Sequence, residues 1–334
     1  MSKPKRWLKK ALVQSSVLRL AGRFAPSAAV ILAYHSIVEN PQLTEHILGI
    51  SRDRASFEAH MKMLAQKYNP VTIAEITEFV RGGRPLPQRA VAVTFDDGFA
   101  DNYTVALPIL ARYGIPATFY IMVNAVACGS LPWYCRLRFA FHATHKPHWR
   151  APDSDRVYPL ATASDRKAAL TAGWEASARL TGDAQLRLVS AIEQSLEVEP
   201  PNGERGFMMT WDQVRGLRRA GHAVGAHTLS HPNVAHVERN EARSEIVESK
   251  RRLEAEVGEV IEHFSYPHPA LNPNWTPQTL ELTREAGYKS AVLTTCGPVR
   301  PGDDPLALKR IYTVTPTLEQ FTWNLQVTFL GRSI

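Results

Sequence analysis

Residues 91–98 read VAVTFDDG, an apolar run that ends abruptly in two adjacent aspartates and a glycine. The apolar run predicts a buried strand, because a strand covered on both faces is continuously hydrophobic. Adjacent carboxylates repel each other, and their burial is costly without a compensating partner. An ordinary Asp-Gly turn after the strand is the alternative interpretation. A functional interpretation of Asp96 and Asp97 therefore needs a partner from elsewhere in the sequence.

Short apolar runs alternate with helix-like segments on both sides of this stretch. The predicted strands are residues 28–35, 89–95, 116–122, 222–227, 262–267, 288–295 and 308–314. The predicted helices are residues 56–68, 102–114, 211–220, 240–257, 276–287 and 317–330. About seven strands that alternate with helices imply a parallel sheet, either open or closed.

The segment from about residue 125 to residue 205 breaks this alternation. It is rich in Arg, Ala and Pro, and helices are predicted near residues 165–180 and 183–196. We interpret the segment as a helical insertion or lid. The predicted organisation is a basic tail over residues 1–27 and one catalytic domain over residues 28–334 that the insertion interrupts.

Polar side chains follow several of the predicted strands, where reactive groups collect in parallel α/β folds. They are His35, Asp96, Asp97, His227 and the Tyr266–Pro267 pair. His231 follows His227 by four residues, and on a helical turn this spacing places both imidazoles on one face. Ordinary surface or core histidines are the alternative.

Two imidazoles and one carboxylate make a three-ligand set with open positions, which is typical of a catalytic metal site. The cation would offset the repulsion between the aspartates, and the second carboxylate could take a proton from water. The implied chemistry is hydrolysis of a carbonyl compound through a tetrahedral oxyanion. The residues alone leave open whether Asp96 or Asp97 is the ligand.

The motifs TFDDG, HTLSH and FSYP, in this order, resemble those of the NodB-homology polysaccharide deacetylases, carbohydrate esterase family 4. The resemblance covers roughly residues 28–125 and 205–315, and AYHSI and ALKRI are similar to the poly-N-acetylglucosamine deacetylase branch. It implies a distorted (β/α)7 barrel with a helical insertion. It also implies removal of N-acetyl groups from sugars with a divalent metal, zinc first and Co²⁺, Ni²⁺ or Fe²⁺ as alternatives.

The resemblance assigns roles by motif position. Asp96 becomes the expected base, and Asp97, His227 and His231 become the expected metal ligands. Arg310, in ALKRI, is expected to hold Asp96 ionised through a charge pair, with an ordinary surface arginine as the alternative.

Two family features are missing. Pro269 replaces the usual glycine after the YP pair, so this position has no N–H to offer an oxyanion. The late Leu-x-His motif is also absent, because His268 is the last histidine. We therefore expect His35 to be the general acid, with His268 as the second candidate. The expected substrate contacts are Tyr266, Pro267, His268 and Trp133, whose ring could stack on a sugar.

The formal net charge of +7 lies in the tail, since residues 1–38 carry seven basic residues and no acid. The remainder is close to neutral, which argues against a nucleic-acid partner. The tail is either loosely structured or a contact with anionic lipid headgroups. Three cysteines without metal-type spacing favour a reducing compartment. We expect a cytoplasmic protein at the inner membrane face, and no protein partner can be inferred.

The sequence thus predicts a metal-dependent hydrolase that removes N-acetyl groups from a glycan or glycolipid intermediate. One alternative is an amidohydrolase that acts on a non-sugar amide. The other is a catalytically weak carbohydrate-binding relative, which the missing histidine and Pro269 would favour. Release of acetate from a glycan separates the first function from both alternatives.

Overall fold

The computed structural model describes residues 27–40, 46–152, 155–201, 206–313, 315 and 317–332. The predicted basic tail, apart from Ser27, lies outside these residues, and so does its expected contact with lipid. Within the described ranges, no helix has the length and apolar character needed to cross a membrane.

Parallel strands form the central sheet of the described chain. Its longer strands are buried along their whole length, as the continuous apolar runs predict. The strands are β1 (Ala29–Tyr34), β4 (Asn69–Pro70), β5 (Ala90–Phe95), β6 (Ala117–Ile121), β9 (Ala223–Ala226), β10 (His263–Ser265), β11 (Ser290–Val292) and β12 (Ile311–Tyr312), numbered together with four outlying strands given below.

The strand order is β11-β10-β9-β6-β5-β1-β12, with the short β4 beside β5. One further parallel bridge joins Val292 to Leu308, three residues before β12 begins. Since Val292 belongs to the strand at the opposite edge, this bridge brings the two edges of the sheet together. The sheet is curled like a distorted barrel, as predicted.

Helices connect the strands and cover the sheet. Outside the insertion they are α1 (Arg54–Lys67), α2 (Ile73–Val80), α3 (Leu107–Tyr113), α8 (Trp211–Arg219), α9 (Arg239–Val257), α10 (Pro277–Glu285) and α11 (Leu318–Phe329). The capping box of Thr210 and Gln213 is present. Gly114 and Gly258 end α3 and α9 in the left-handed conformation. The predicted start of α8 at residue 211 and the predicted end of α9 at residue 257 are confirmed.

Between β6 and β9 the chain forms a predominantly helical segment. It contains α4 (Val123–Cys128), α5 (Trp133–Ala143), α6 (Ala163–Ser177), α7 (Gly182–Ser195) and a hairpin of β7 (His148–Arg150) and β8 (Val157–Pro159). The helices predicted near 165–180 and 183–196 are α6 and α7, displaced by a few residues. The hairpin was not predicted.

Other elements also escaped the sequence analysis. Helix α2 was missed, and β2 (Ser36–Val38) pairs with β3 (Ser51–Asp53) in a separate small sheet. The single helix predicted over 102–114 is divided, because Asn102–Ala106 form a π-helical turn before α3. Pro108 at the start of α3 has no N–H to donate, which explains why the regular helix begins there.

Candidate active site

The two acids and the two histidines come from strands that flank β6. Asp96 and Asp97 follow β5, and His227 follows β9. Both strands pair with β6 in parallel, so their carboxyl ends reach the same edge of the sheet. The fold therefore brings together residues that are more than a hundred positions apart in the sequence.

Asp97, His227 and His231 form a buried cluster whose ligand atoms all lie within 4.8 Å of one another. Asp97 Oδ1 lies 3.5 Å from the Nε2 atoms of both histidines, and it has no hydrogen-bond partner among the described residues. His227 Nδ1 lies 2.7 Å from the Ser265 carbonyl oxygen. A carbonyl can only accept, so Nδ1 carries the proton and Nε2 presents a lone pair to the cluster.

The backbone around this cluster is strained. Asp97, Thr228 and His231 have φ values of 78°, 63° and 59°, in the left-handed region that non-glycine residues rarely adopt. The Thr228 hydroxyl accepts a hydrogen bond from the His231 amide at 3.0 Å, which closes the turn. Such strain persists only where surrounding contacts hold it, and it is concentrated at functional sites.

Glu245 of α9 holds the turn between the two histidines. Its buried carboxylate accepts hydrogen bonds from the Leu229 and Ser230 amides at 2.8 and 2.9 Å, and from the Ser230 hydroxyl. Burial raises the pKa of Glu245, although these donors oppose the rise. Glu245 was not predicted as a site residue, since a glutamate inside an amphipathic helix resembles any solvent-facing glutamate.

Asp96 forms a buried ion pair with Arg310. Two guanidinium nitrogens donate to the two carboxylate oxygens at 2.8 and 2.7 Å. Arg310 also donates to the Leu293 carbonyl, the Thr94 hydroxyl and the Ser265 hydroxyl, and only 1% of its surface is exposed. The structure thus contains the charge pair expected from the sequence and excludes the surface-arginine alternative.

The two adjacent carboxyl groups differ in their protonation preference. Burial alone would raise the pKa of Asp96, but the Arg310 charge and hydrogen bonds bring it well below the usual value. Burial raises the pKa of Asp97 to about 6, with Asp96 adding to the rise and His227 opposing it. Asp96 is therefore compensated by an arginine within the protein, whereas among the described residues Asp97 has no arginine or lysine in an ion pair.

Asp96, Asp97, His227 and His231 line a cavity of about 420 Å³. His35 also lines it, and its buried Nδ1 has no hydrogen-bond partner in the described part of the chain. Burial lowers the pKa of His35, and Asp96 partly opposes this effect. The structure thus brings the first general-acid candidate to the same cavity as Asp96 and the Asp97 cluster.

The residues expected to contact substrate divide into two groups. His268 is exposed and lines the cavity, next to Pro269. Tyr266 also lines the cavity, but its hydroxyl donates to Thr283 at 2.9 Å, within the core. Pro267 is buried and is not part of the cavity wall.

Trp133 does not offer a stacking face. Its ring is 2% exposed, and its indole N–H donates to the His231 carbonyl at 3.1 Å. It therefore positions the turn that carries His231. The neighbouring Tyr134 lines the cavity instead, with its ring 4.8 Å from the His231 ring. Trp174 of α6 lines the cavity too, and the sequence analysis did not select it.

Comparison with known proteins identifies the domain. The family model described as polysaccharide deacetylase matches residues 83–132 and 183–291. These two matched segments make up a polysaccharide deacetylase domain. The family resemblance seen in the motifs, and the enzyme class that it implies, are confirmed. YxkH of Bacillus subtilis, named as a polysaccharide deacetylase, is 21% identical to this deacetylase over 86% of the chain and 71% of its own length.

A second relative is the poly-beta-1,6-N-acetyl-D-glucosamine N-deacetylase of Escherichia coli K12. It is 38% identical over 90 residues, which make up 27% of this chain. Those residues span only 13% of the E. coli protein, so that protein's activity is not transferred by this match.

Solved structures support the fold of the deacetylase domain. The Streptococcus pyogenes deacetylase PplD, solved in complex with acetate, has a TM-score of 0.60 at 18% identity and covers 91% of this chain and 99% of its own. IcaB from Ammonifex degensii has a TM-score of 0.59 at 20% identity, with 90% and 98% covered. At these identities the likeness shows the fold alone.

Proposed function

We propose that this deacetylase domain removes N-acetyl groups from an acetylated carbohydrate in a metal-dependent reaction. The proposal rests on one observation: a cluster of metal-type donor atoms and an ion-paired carboxylate lie side by side in the same cavity. Asp97, His227 and His231 form a buried donor cluster, and the Arg310-paired Asp96 lies beside it. A cation site next to an ionised base suits hydrolysis of an amide.

The donor set fits a divalent cation. The orphaned Asp97 Oδ1 and the Nε2 lone pair of His227 meet in the same small volume, and His231 adds its own Nε2. We propose zinc, with Co²⁺, Ni²⁺ and Fe²⁺ as alternatives that favour the same oxygen and nitrogen donors. When bound, the metal supplies a Lewis acid that polarises the acetyl carbonyl.

In the proposed reaction Asp96 accepts a proton from the attacking water. Arg310 keeps its carboxylate ionised, and each carboxylate oxygen has a second lone pair besides the one directed at the guanidinium. Arg310 is a positioning residue, because it acts through Asp96. Without this pair, burial would favour the protonated acid, which cannot act as a base.

The leaving amine needs a proton when the tetrahedral intermediate collapses. We propose that His35 donates it, since its Nδ1 lies buried at the cavity wall without another partner in the described ranges. Because burial lowers its pKa, the resting imidazole is neutral, so the proton that Asp96 takes from the water has to pass to His35 before His35 donates it to the amine. His268 remains the second candidate, since it lines the same cavity.

Release of acetate from acetylated oligosaccharides tests this function. We expect acetate from at least one N-acetylated sugar, and at least about 10²-fold slower turnover in Asp96→Asn, the scale of general acid–base catalysis. Asp212→Asn is the matched control, because Asp212 is exposed on α8. Near-normal turnover in Asp96→Asn would refute the base assignment. Hydrolysis of a small amide without acetate release would favour the amidohydrolase alternative.

The membrane contact stays a separate prediction from the basic residues 1–27. We propose that the tail binds anionic headgroups while the domain acts on substrate at the cytoplasmic face. Deletion of residues 2–24 should abolish salt-sensitive sedimentation with anionic liposomes and leave turnover of a soluble substrate intact. A full-length chain that ignores such liposomes at low salt would contradict this proposal.

A further inference from the structure

A second, larger cavity opens beside the active site, between helices of the inserted segment. It has a volume of about 930 Å³ and is formed mainly by α5 and α6. Arg138 and Trp174 line both cavities, so the two spaces share a wall. The second cavity therefore adjoins the space in which the substrate of the proposed reaction would lie.

The side chains that line this second cavity are cationic. Arg138, Arg166 and Lys167 lie at its wall, and none of the described residues that line it is an aspartate or a glutamate. Lys167 is exposed and forms no ion pair with any described residue. This concentration of positive charge contrasts with the near neutrality of the chain beyond its tail. Positive charge concentrated at a concave surface attracts anionic ligands.

Part of this charge is held in place. Nη1 of Arg166 donates to the carbonyls of Phe141 and Thr144 at 2.7 and 3.1 Å, at the end of α5. The guanidinium is thereby anchored to the backbone of the cavity wall. Oriented donors of this kind lose little conformational freedom when they bind a carboxylate or a phosphate.

An aromatic residue connects this charged surface to the active site. The indole N–H of Trp174 donates to the Tyr134 carbonyl at 3.1 Å, and the Arg138 guanidinium lies 4.9 Å from the Trp174 ring centre. Tyr134 in turn contacts His231. Aromatic rings beside fixed polar groups suit sugar rings, which have both apolar faces and polar edges.

We propose that the second cavity binds a negatively charged group of the carbohydrate, so that the substrate is an acidic glycan. This inference rests on the proposed function and deepens it. The charged group is either a carboxylate on a neighbouring sugar or a phosphate attached to the acetylated sugar. Both present anionic oxygens to Arg138, Arg166 and Lys167.

Calorimetric titration of the full chain tests the proposal. The Asp96→Asn background removes the proposed base and so limits turnover during the titration. The ligands are a tetrasaccharide of alternating glucuronate and N-acetylglucosamine, the neutral N-acetylglucosamine tetrasaccharide, and UDP-N-acetylglucosamine. We expect at least one acidic ligand to bind about ten-fold more tightly than the neutral one, because two or three partly exposed ion pairs contribute. Added salt should reduce this preference.

Lys167→Glu should remove most of this preference. Arg187→Glu is the matched control, since it changes the charge equally on an exposed position of α7 that does not line the second cavity. Preference for the glucuronate ligand indicates a carboxylate, and preference for the diphosphate ligand indicates a phosphate. Equal affinity for acidic and neutral ligands, or equal effects of the two variants, would overturn the proposal.

Acetate release by the wild-type chain is measured on the same three ligands. Charge-dependent binding without acetate would contradict the proposed function and leave the anion site standing. Acetate release without any preference for acidic ligands would contradict the anion site and leave the proposed function standing.

Discussion

The two walls of the active-site cavity differ in how firmly their side chains are held. On the sheet side, Asp96 and His227 are each at most 3% exposed, and Arg310, which pairs with Asp96, makes five hydrogen bonds. On the insertion side, Trp174 and Arg138 are only partly buried. The side chains of the sheet wall are buried and hydrogen-bonded, as polar groups in a protein core are. Those of the insertion wall are partly exposed, as on a protein surface.

This difference separates two tasks. Buried charges need fixed partners, because an unpaired charge in the interior is strongly destabilising, so the residues of the sheet wall depend on one another. Partly exposed side chains are solvated by water, so their stability depends less on neighbouring side chains. We infer that the sheet wall fixes the chemistry and that the insertion wall adjusts which sugar is accepted. Substitutions should therefore be coupled on the first wall and nearly independent on the second.

Arg310→Met should have the largest effect on stability. It leaves Asp96 as an uncompensated buried charge, and breaking a buried pair in this way costs about 3–5 kcal/mol. The free energy of unfolding from denaturant titration measures the loss. Asp96→Asn/Arg310→Met should recover part of it, because no unpaired charge remains.

Arg239→Met is the matched control for this pair. Arg239 is 51% exposed, and its carboxylate partners lie 3.8 and 3.9 Å away, so the expected loss is below about 1 kcal/mol. Equal losses in Arg310→Met and Arg239→Met would remove the distinction between the two kinds of wall.

His35→Gln should slow turnover of an N-acetyl substrate by about 10²-fold, because the leaving amine then lacks its proton donor. Turnover of an activated aryl acetate ester, whose leaving group needs little protonation, should slow much less. Steady-state rates on both substrates measure the contrast. Equal losses would indicate a binding or structural role, and unchanged rates on both would exclude His35 from the mechanism.

Glu245→Ala should destabilise the turn between His227 and His231 by about 1–3 kcal/mol, because two buried amides lose their acceptor. Glu245→Gln should be milder, since both amides donate to the same carboxylate oxygen and an amide oxygen can replace it. Thermal unfolding and zinc titration of both variants measure the difference. If Ala and Gln behave alike, Glu245 does not act through these hydrogen bonds.

The sequence predicted those parts of the fold whose signals are local. The continuous burial of β5 follows from its apolar run, and α8 begins at the capping box that its own residues encode. The grouping of Asp96, Asp97 and His227 was also predictable, since parallel strands end at one edge of the sheet. His231 was expected on a helical turn, but the structure places it in a strained turn with a φ of 59°.

Contacts between residues far apart in the sequence were much harder to predict. Trp133 and Trp174 are both tryptophans of the insertion, and only packing decides that the first is buried and that the second lines the cavity. The roles of Arg166 and Lys167 depend on how α5 and α6 enclose a space. Residues that act through contacts across the fold carry no local pattern, and Glu245 is the clearest case.

Metal content measured beside turnover tests the central claim most directly. Wild-type chain, Asp97→Ala, His227→Ala and Asp96→Asn are purified identically, loaded with zinc, desalted and analysed for bound metal and acetate release. We expect about one zinc per chain in the wild type and in Asp96→Asn, with activity only in the wild type, and loss of both metal and activity in Asp97→Ala and His227→Ala. Full zinc retention in Asp97→Ala and His227→Ala would contradict the central claim.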